Sequence, residues 1–406
     1  EDTLRGTYPL DRKMDNATNS RFKNDTHSGV SSTSRLKILH CIRQGRVGGG
    51  ESHVIDLVRH LDPNKFESIV LAFTDGEMIQ TLKSIGITAV VIPTTKPFDV
   101  TVWGKVKKLI EQHNIDLIHM HGTRAFSNVC YAARRLKKPI VYTVHGWSFN
   151  EFQPYLRKNI AILTEGLFSR MANATINVSF ANQLLGKKVI NGFQSIVIPN
   201  GIDTSKFAVT ETFDADIRKK FNIASSTILI GFIARITEQK DPFTLLHAFS
   251  LLQKTTPGKF SLLYVGDGEL KNELISKTAA LGLTDVVHFE NFRKDIPTVL
   301  SQIEIFCLPS LWEGLSLGLL EAMSMRSAII ATNVDGTKEV IHHNENGLLF
   351  TPKDHQALAD LITQVAMNRE LRDRIKVNAR ETVITNYSLE SMVRKTESVY
   401  KNIIAK

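Results

Sequence analysis

The chain has 406 residues, of which 42% are hydrophobic and 22% charged; at ~100–200 residues per domain this is a globular protein of two domains or a little more, not a disordered or fibrous one. Its formal charge of +9 is unevenly spread: residues 1–34 and 206–406 are each neutral, whereas residues 35–205 hold 21 basic and 12 acidic side chains. Three scattered cysteines (Cys41, Cys130 and Cys307) exclude a disulfide framework and a CxxC zinc site and predict a reducing, cytoplasmic setting, and neither a signal pattern nor an apolar run of the ~20 residues that cross a bilayer is visible.

Residues 1–34 are polar and aperiodic and are expected to be a disordered tail. From Arg35 onward, short apolar runs predict strands at 36–42, 67–73, 89–93, 115–120, 139–144, 174–178 and 195–198. Helical stretches fall between them at 51–61, 77–85, 101–113 and 124–136. After Gly201 the pattern restarts. Strands are predicted near 227–233, 260–265, 286–289, 304–308, 328–332 and 347–350, and helices near 241–254, 269–281, 296–301, 316–324, 336–343 and 354–367. Two such series predict an α/β protein of two Rossmann-like parallel-sheet domains, residues 35–205 and 206–387, facing an interdomain cleft. The turn cluster Pro199-Asn-Gly-Ile-Asp203 marks the boundary. A last helix, within 388–406, starts at a Ser388 N-cap and is expected to pack back toward the first domain.

Open parallel sheets bind ligands at the carboxyl ends of their strands, so the residues just after each strand are the candidates. Gly45-Arg-Val-Gly-Gly-Gly-Glu51 follows the first strand and opens a helix, where Gly49 and Gly50 let backbone N–H groups approach a phosphate; a plain tight turn explains the glycines equally well. His119 and His121 form an H-x-H pair without the further ligands a metal needs. A hydrogen-bonding role facing the cleft suits them better, and no metal site is expected. His145 ends another strand beside Gly146 and can be either a ligand contact or a turn residue. Asn200, Gly201 and Asp203 read as a turn with a cap. In the second half, Arg235 and Lys240 place a planar fork and a point charge at one strand mouth, which suits a diphosphate. Gly266-Asp-Gly-Glu269 is another glycine turn at a strand end. Glu313-Gly-Leu-Ser-Leu-Gly-Leu-Leu-Glu321 is a turn leading into a helix, with Glu313 in the loop and Glu321 on the second helical turn. The amides of Leu315, Ser316 and Leu317 would face an anion there. Asp214-Ala-Asp216 has the DxD form of a metal site but follows no strand and is discounted.

Taken together and in order, these motifs resemble glycosyltransferase family 4, the retaining nucleotide-sugar enzymes of the GT-B fold. The resemblance runs from about residue 36 to 400 through GGGE at 48–51, HMHG at 119–122, TVHG at 143–146, PNGID at 199–203, GFIARITEQKD at 231–241 and VGDGE at 265–269. EGLSLGLLEAM at 313–323 is its most specific part, and DGTKEVI with NGLLF (335–350) completes it. It implies that Arg235 and Lys240 neutralise the donor diphosphate, that Glu321 holds the ribose hydroxyls and that Glu313 contacts the donor sugar. Leu315, Ser316, Leu317 and Gly266 would line the donor site, with Gly49 and Gly50 near the phosphates and His145 beside the reacting sugar carbon. It also implies that no cofactor or metal is required and that the acceptor binds the first domain. Asp241 departs from the glycine that often follows the lysine in this family.

The implied function is transfer of a hexose or N-acetylhexosamine from a nucleotide-diphosphate sugar to a glycan or lipid-linked acceptor in polysaccharide or lipid-linked glycan assembly. The leucine-rich form of the 313–321 segment favours UDP over GDP. A nucleotide-sugar 2-epimerase and a catalytically silent partner subunit share the two-domain plan. The ordered motifs favour the transferase over the first. The second would be expected to have lost one of Glu313, Glu321, Arg235 or Lys240, and all four are present. The basic runs Lys105–Lys108, Arg134–Lys138, Arg157-Lys158 and Lys187-Lys188 predict peripheral attachment to an anionic membrane, on the inner face of the plasma membrane. Nucleic acid is not expected as a partner, because the basic residues lack interleaved exposed aromatics and any base-reading module.

Overall fold

The computed structural model describes residues 35–45, 48–151, 153–209 and 216–405. The tail expected at 1–34, and Asp214 of the DxD sequence, lie outside the described residues.

The first half of the chain alternates strand and helix: β1 (Leu36–Ile42), α1 (Gly49–His60), β2 (Phe66–Ala72), α2 (Glu77–Ser84), β3 (Thr88–Val91), α3 (Val100–Gln112), β4 (Leu117–His121), α4 (Thr123–Arg135), β5 (Ile140–Val144), α5 (Tyr155–Met171), β6 (Ala174–Asn177), α6 (Phe180–Val189) and β7 (Ile196–Val197). β4 and β5 are buried along their whole length, as strands covered by helices on both faces must be. Their all-parallel sheet runs β3-β2-β1-β4-β5-β6-β7.

A second series then follows: α7 (Asp216–Lys220), β8 (Ile228–Ile233), α8 (Pro242–Thr255), β9 (Phe260–Val265), α9 (Lys271–Ala280), β10 (Val287–Glu290), α10 (Ile296–Leu300), β11 (Ile305–Leu308), α11 (Leu317–Ser324), β12 (Ala328–Thr332), α12 (Thr337–Val340), β13 (Leu348–Phe350), α13 (His355–Met367), α14 (Arg369–Asn386) and α15 (Leu389–Ile404). Its six-stranded sheet, β10-β9-β8-β11-β12-β13, repeats the doubly wound order of the first. The winding direction reverses between β1 and β4 and again between β8 and β11. These two crevices are where ligands bind in such sheets.

Four helices depart from the sequence expectation. α5, α6 and α14 were not predicted, and α5 carries apolar residues on both faces, which erases the helical period. The helix expected at 336–343 stops at Val340. There the Asn346 side chain takes over the backbone: its Oδ1 accepts from His342 N (2.7 Å) and its Nδ2 donates to Val340 O (2.8 Å). Phe180 and Tyr155 are exposed aromatics close to basic residues, contrary to the expectation that the basic runs lack them.

α15 is capped by Ser388, whose hydroxyl accepts from Ser391 N at 3.2 Å. Its Leu389, Met392 and Tyr400 pack with Ile38, Leu57, Leu117 and Val141 of the first sheet and its helices. The chain thus crosses between the sheets twice. The two crossings lie side by side, with Ile202 N donating to Tyr387 O and Leu389 N to Ile202 O, both at 3.0 Å. A Cβ on Gly201 would stand 2.4 Å from the Ser388 carbonyl oxygen. Gly201→Ala is therefore expected to force the crossings apart and cost about 1–3 kcal/mol. The urea midpoint measures this, and an unchanged midpoint would show that the contact yields freely.

Candidate active site

The carboxyl ends of both sheets open on one cleft of about 1950 Å³, roughly twice the top of the ~300–1,000 Å³ range of single-ligand pockets. On the first sheet's side, α1 starts at Gly49 behind an extended Gly48. Gly49 has open space where a Cβ would be, and a Cβ on Gly50 would lie 3.8 Å from Cδ2 of the His145 ring. Glu51, in the first turn of α1, tucks its carboxyl 2.6 Å from the Cβ position of Gly48. Burial raises its pKa, and Arg235, facing it from the second sheet's side, works in the opposite direction.

His145, at the end of β5, belongs to a chain of imidazoles. Its Nε2 lies 3.2 Å from His121 Nδ1, and His121 Nε2 lies 3.4 Å from His40 Nδ1. His40 Nε2 ends the chain on the Ser68 hydroxyl at 3.4 Å. His119 is anchored on both nitrogens, by Tyr400 OH of α15 (2.6 Å) and Thr143 Oγ1 (2.7 Å). Burial lowers every one of these rings, His40 to about 3 and the neighbouring His53 to about 4, and holds His119, His121 and His145 well below 6.5. All are neutral at pH 7, so each offers one donor and one acceptor. Two trios, His40/His119/His121 and His53/His121/His145, bring ring nitrogens within 4.8 Å of one another, as a metal would need. Hydrogen bonds already engage both nitrogens of His119 and of His121, so the cluster is a wired chain of neutral rings.

On the second sheet's side, Arg235 follows β8 and is exposed in the cleft. Lys240 ends a short 3-10 turn and pairs with Glu313, which is 5% exposed and also accepts from Ser310 Oγ at 2.6 Å. Asp241 adopts the left-handed conformation (φ 42°) and caps α8 through Thr244 N (3.3 Å) and Thr244 Oγ1 (2.7 Å). A residue that tolerates positive φ thus occupies the glycine-prone position and adds a cap. Gly266 has φ 147°, and a Cβ there would meet Ala234 O at 2.0 Å. α11 begins at Leu317 behind Ser316, whose hydroxyl accepts from Leu319 N at 3.3 Å. Leu315, Ser316, Leu317 and Gly318 line the cleft, and the amides of the first turn have no partner within the helix.

Glu321 lies on the second turn of α11. Burial raises its pKa from 4.5 to about 7, with Lys206 lowering it and Asp56, on the first sheet's side, raising it. Opposite sides of the cleft touch at several points. Gly314 lies against the His145 carbonyl, Asn200 Nδ2 donates to Leu315 O (2.8 Å), and Lys294 pairs with Glu77 (2.7 Å). The Glu339 carboxylate accepts from the amides of Phe180 (2.9 Å) and Ala181 at the start of α6. The eleven residues that the family resemblance implies for the donor site therefore all line this one cleft, whereas His119 and His121, expected to face it, are buried behind His145 and do not. Sequence reasoning missed Asn182, Lys206 and Thr237, which also line it. The Thr237 hydroxyl and the Asn182 Nδ2 are buried without partners in the protein, a signal only the fold supplies.

The chain matches the model of Glycosyltransferase Family 4 over residues 47–206 and that of Glycosyl transferases group 1 over residues 213–382. It is 24% identical over 388 residues to the UDP-Gal:alpha-D-GlcNAc-diphosphoundecaprenol alpha-1,3-galactosyltransferase of Escherichia coli, covering 92% of this chain and 99% of that one. It is 25% identical to the N-acetyl-alpha-D-glucosaminyl L-malate synthase of Bacillus anthracis, covering 76% of this chain and 80% of that one. Its fold matches that of Anabaena HepE in complex with UDP-glucose, with a TM-score of 0.80 and 24% identity over 91% of this chain and 100% of that one.

The raised Glu321 pKa has a sign. The folded state holds an extra proton between the unfolded value near 4.5 and about 7, so this stabilisation is full at low pH and lost as pH rises through about 7. Glu321→Gln is therefore expected to match the wild type near pH 4.5 and exceed it at pH 8 by on the order of 2 kcal/mol. Urea unfolding at both pH values measures it; equal stability at pH 8 would show that the carboxyl ionises freely.

Proposed function

The chain belongs to glycosyltransferase family 4 and is a glycosyltransferase of GT-B fold, and from that premise we propose that it moves a hexose or N-acetylhexosamine from a UDP-sugar to a glycan or lipid-diphosphate acceptor with retention of the anomeric configuration. The observation that carries this reading is the convergence of Arg235, Lys240 and the α11 N-terminus on one wall, opposite Gly49, Gly50 and His145 on the other. Breaking the bond between the sugar and the diphosphate leaves negative charge on the departing oxygen. Fixed cations and unpaired amides aimed at that charge stabilise the transition state without reorganising. In this scheme Arg235, Lys240 and the amides of Leu315, Ser316 and Leu317 hold the diphosphate, with Gly266 close by. Glu321 accepts from the ribose hydroxyls.

The Lys240–Glu313 pair supplies an exchange. Donor phosphates draw the ammonium away, and the Glu313 carboxylate, still held by Ser310, turns to the sugar hydroxyls. His145 is neutral and sits against Gly50 and Gly314, where the sugar's reacting carbon would lie. Two fixed cations and a helix N-terminus provide the positive charge that a divalent metal provides elsewhere, so the transfer is proposed to need no metal and no cofactor. Retention rests on the family resemblance of the 313–323 segment. UDP is supported by the E. coli relative, named for UDP-Gal, and by the neighbouring fold that holds UDP-glucose. A lipid-diphosphate acceptor is supported by the diphosphoundecaprenol in the name of that relative. No helix among the described residues is long and apolar enough to cross a membrane. The basic surplus of residues 35–205 supports attachment to the surface of an anionic membrane on its cytoplasmic face.

A panel of UDP-, GDP- and ADP-sugars scored by thermal shift tests the donor. A UDP-sugar alone is expected to raise Tm, and no shift with any nucleotide would sink the enzyme reading. Arg235 is exposed, so Arg235→Ala leaves the fold intact. It is expected to lower kcat by about 10²–10³. Turnover in excess EDTA should equal that without it; a rate abolished by EDTA and restored by a divalent ion would overturn the metal-free scheme.

A further inference from the structure

α5 has no polar face. Its inner side buries Glu165, Gly166 and Phe168. Its outer side exposes Tyr155 (84%), Leu156 (72%), Ile160 (55%), Leu163 (73%) and Leu167 (52%). Positions 156, 160, 163 and 167 step by four, three and four residues, so they form one stripe along the helix. Single exposed apolar residues are ordinary on a protein surface, but an unbroken row along a whole helix is a contact surface. The polar residues between them are satisfied within the helix: Asn159 Nδ2 donates to Tyr155 O (2.9 Å) and Thr164 Oγ1 to Ile160 O (2.8 Å). A helix surface built this way leaves few groups that need water.

Charge defines what covers it. From residue 153 to 202 the sequence has five Lys or Arg and one acidic residue, Glu165. Glu165 is buried and accepts from Thr123 Oγ1 and Tyr142 OH, both at 2.7 Å. Arg157 and Lys158 stand at the N-terminal end of the stripe, and Lys158 lines the cleft. At the C-terminal end, Arg170 shares a shallow pocket with Arg134, Lys137 and Lys138. Alongside runs α6, which packs with α5 around Phe149, Ile190 and Phe193. It exposes Phe180 (60%) and Leu184 (50%) ahead of Lys187 and Lys188. Five cations flank these apolar residues, with Glu151 just before α5 and Glu339 bonded to the start of α6 as the nearby acids that are not buried. Such a surface complements an anionic bilayer: the stripe enters the acyl boundary and the cations stay among the headgroups.

We infer that α5, with the exposed edge of α6, is the membrane-docking surface of this protein and lies in the interfacial plane of an anionic bilayer. The inference rests on the reading that the acceptor is a lipid diphosphate, and it says how that acceptor arrives. At 17 residues α5 spans about 25 Å along the surface and ends at the cleft. Lys158 and Lys188, both on the cleft wall, then stand where the membrane meets the cleft. They can draw in an acceptor diphosphate whose hydrocarbon tail never leaves the lipid.

The test is vesicle flotation of the full chain, with vesicles of neutral lipid alone or with about one third anionic lipid, at low and high salt. Two variants are compared with the wild type: Leu156→Ser/Leu163→Ser/Leu167→Ser, and Leu163→Trp as a fluorescent reporter. The wild type should float with anionic vesicles. The triple variant should partition more weakly by about tenfold or more while its UDP-sugar hydrolysis in solution is unchanged. The Leu163→Trp emission should shift to the blue on anionic vesicles and be quenched by lipids brominated near the headgroup. A triple variant that floats like the wild type overturns the assignment to α5 and leaves membrane attachment standing. A wild type that floats with no vesicle overturns attachment itself, while the donor panel still decides the transferase. A wild type that is dimeric in sedimentation, made monomeric by the triple substitution with vesicle binding unchanged, assigns the stripe to a second copy and overturns the inference.

Discussion

The cleft depends on a place where three backbones meet with no side chain between them. A Cβ on Gly314 would lie 2.0 Å from the His145 carbonyl oxygen, and a Cβ on Gly336 would lie 1.7 Å from the Gly314 carbonyl oxygen. The loop after β11 is thus pressed between the end of β5 and the start of α12. A side chain at Gly314 would push the two sheets apart at the point where their carboxyl ends face each other, and one at Gly336 would displace the Gly314 loop that makes this contact. Only at this spacing does His145 stand opposite the start of α11, and only then can Glu339 reach the first amides of α6. The Asn200–Leu315 bond and the paired chain crossings at Ile202 and Leu389 hold the same spacing from behind.

Both walls carry cations, with Arg43, Arg59, Lys158 and Lys188 on the first sheet's side, but the groups that face the proposed chemistry manage charge differently. His145 ends a chain of imidazoles that burial keeps neutral, linked so that each ring orients the next from Ser68 onward. Such a ring can meet a sugar's hydroxyls without repelling or capturing an ion. Arg235 and Lys240 on the second wall are permanent cations, one exposed and one paired. Arg235 is already facing solvent and costs little to redirect. Lys240 is neutralised by a buried Glu313, which removes the penalty of an unpaired charge until an anion arrives. A fully buried cation without that partner would be expensive, and an exposed one would be screened. The pair keeps the charge available in a place of low dielectric, where it acts most strongly.

The alternation of short apolar strands with helices was enough to predict two doubly wound sheets, since buried parallel strands must be uniformly apolar. Ser388 as a cap was legible because capping is a local interaction. The strand-end positions of Arg235, Lys240, Glu313 and Glu321 followed from the rule that such sheets bind ligands there. What could not be read is what depends on contacts across the chain. Asp56 acts on Glu321 from the opposite domain, and Lys206 from more than a hundred residues away in sequence. Thr237 and Asn182 are ordinary in sequence and notable only because burial leaves them unpartnered. The Gly336 turn read as one more motif of the family, yet its reason is the Gly314 carbonyl, more than twenty residues away. His119 and His121 were weighed as a metal pair because H-x-H is a local pattern. Their partners, Tyr400 and His40, come from the far ends of the folded chain.

α5 joins these threads. Period-based reading separates helix from loop by the contrast between an apolar face and a polar one, so a helix apolar on both sides gives no period. A fully buried helix would have this property, but α5 is half exposed, and its outward residues are leucine and isoleucine. The failure to predict it and the apolar surface on which its proposed docking rests therefore have one cause. The charge balance follows the same logic. A surplus that served the donor diphosphate would fall in the second half of the chain, around Arg235 and Lys240, and that half is neutral overall. The surplus falls instead in the half that carries α5. It includes Arg157, Lys158 and Arg170 on α5 itself, beside the apolar surface proposed to dock on an anionic membrane.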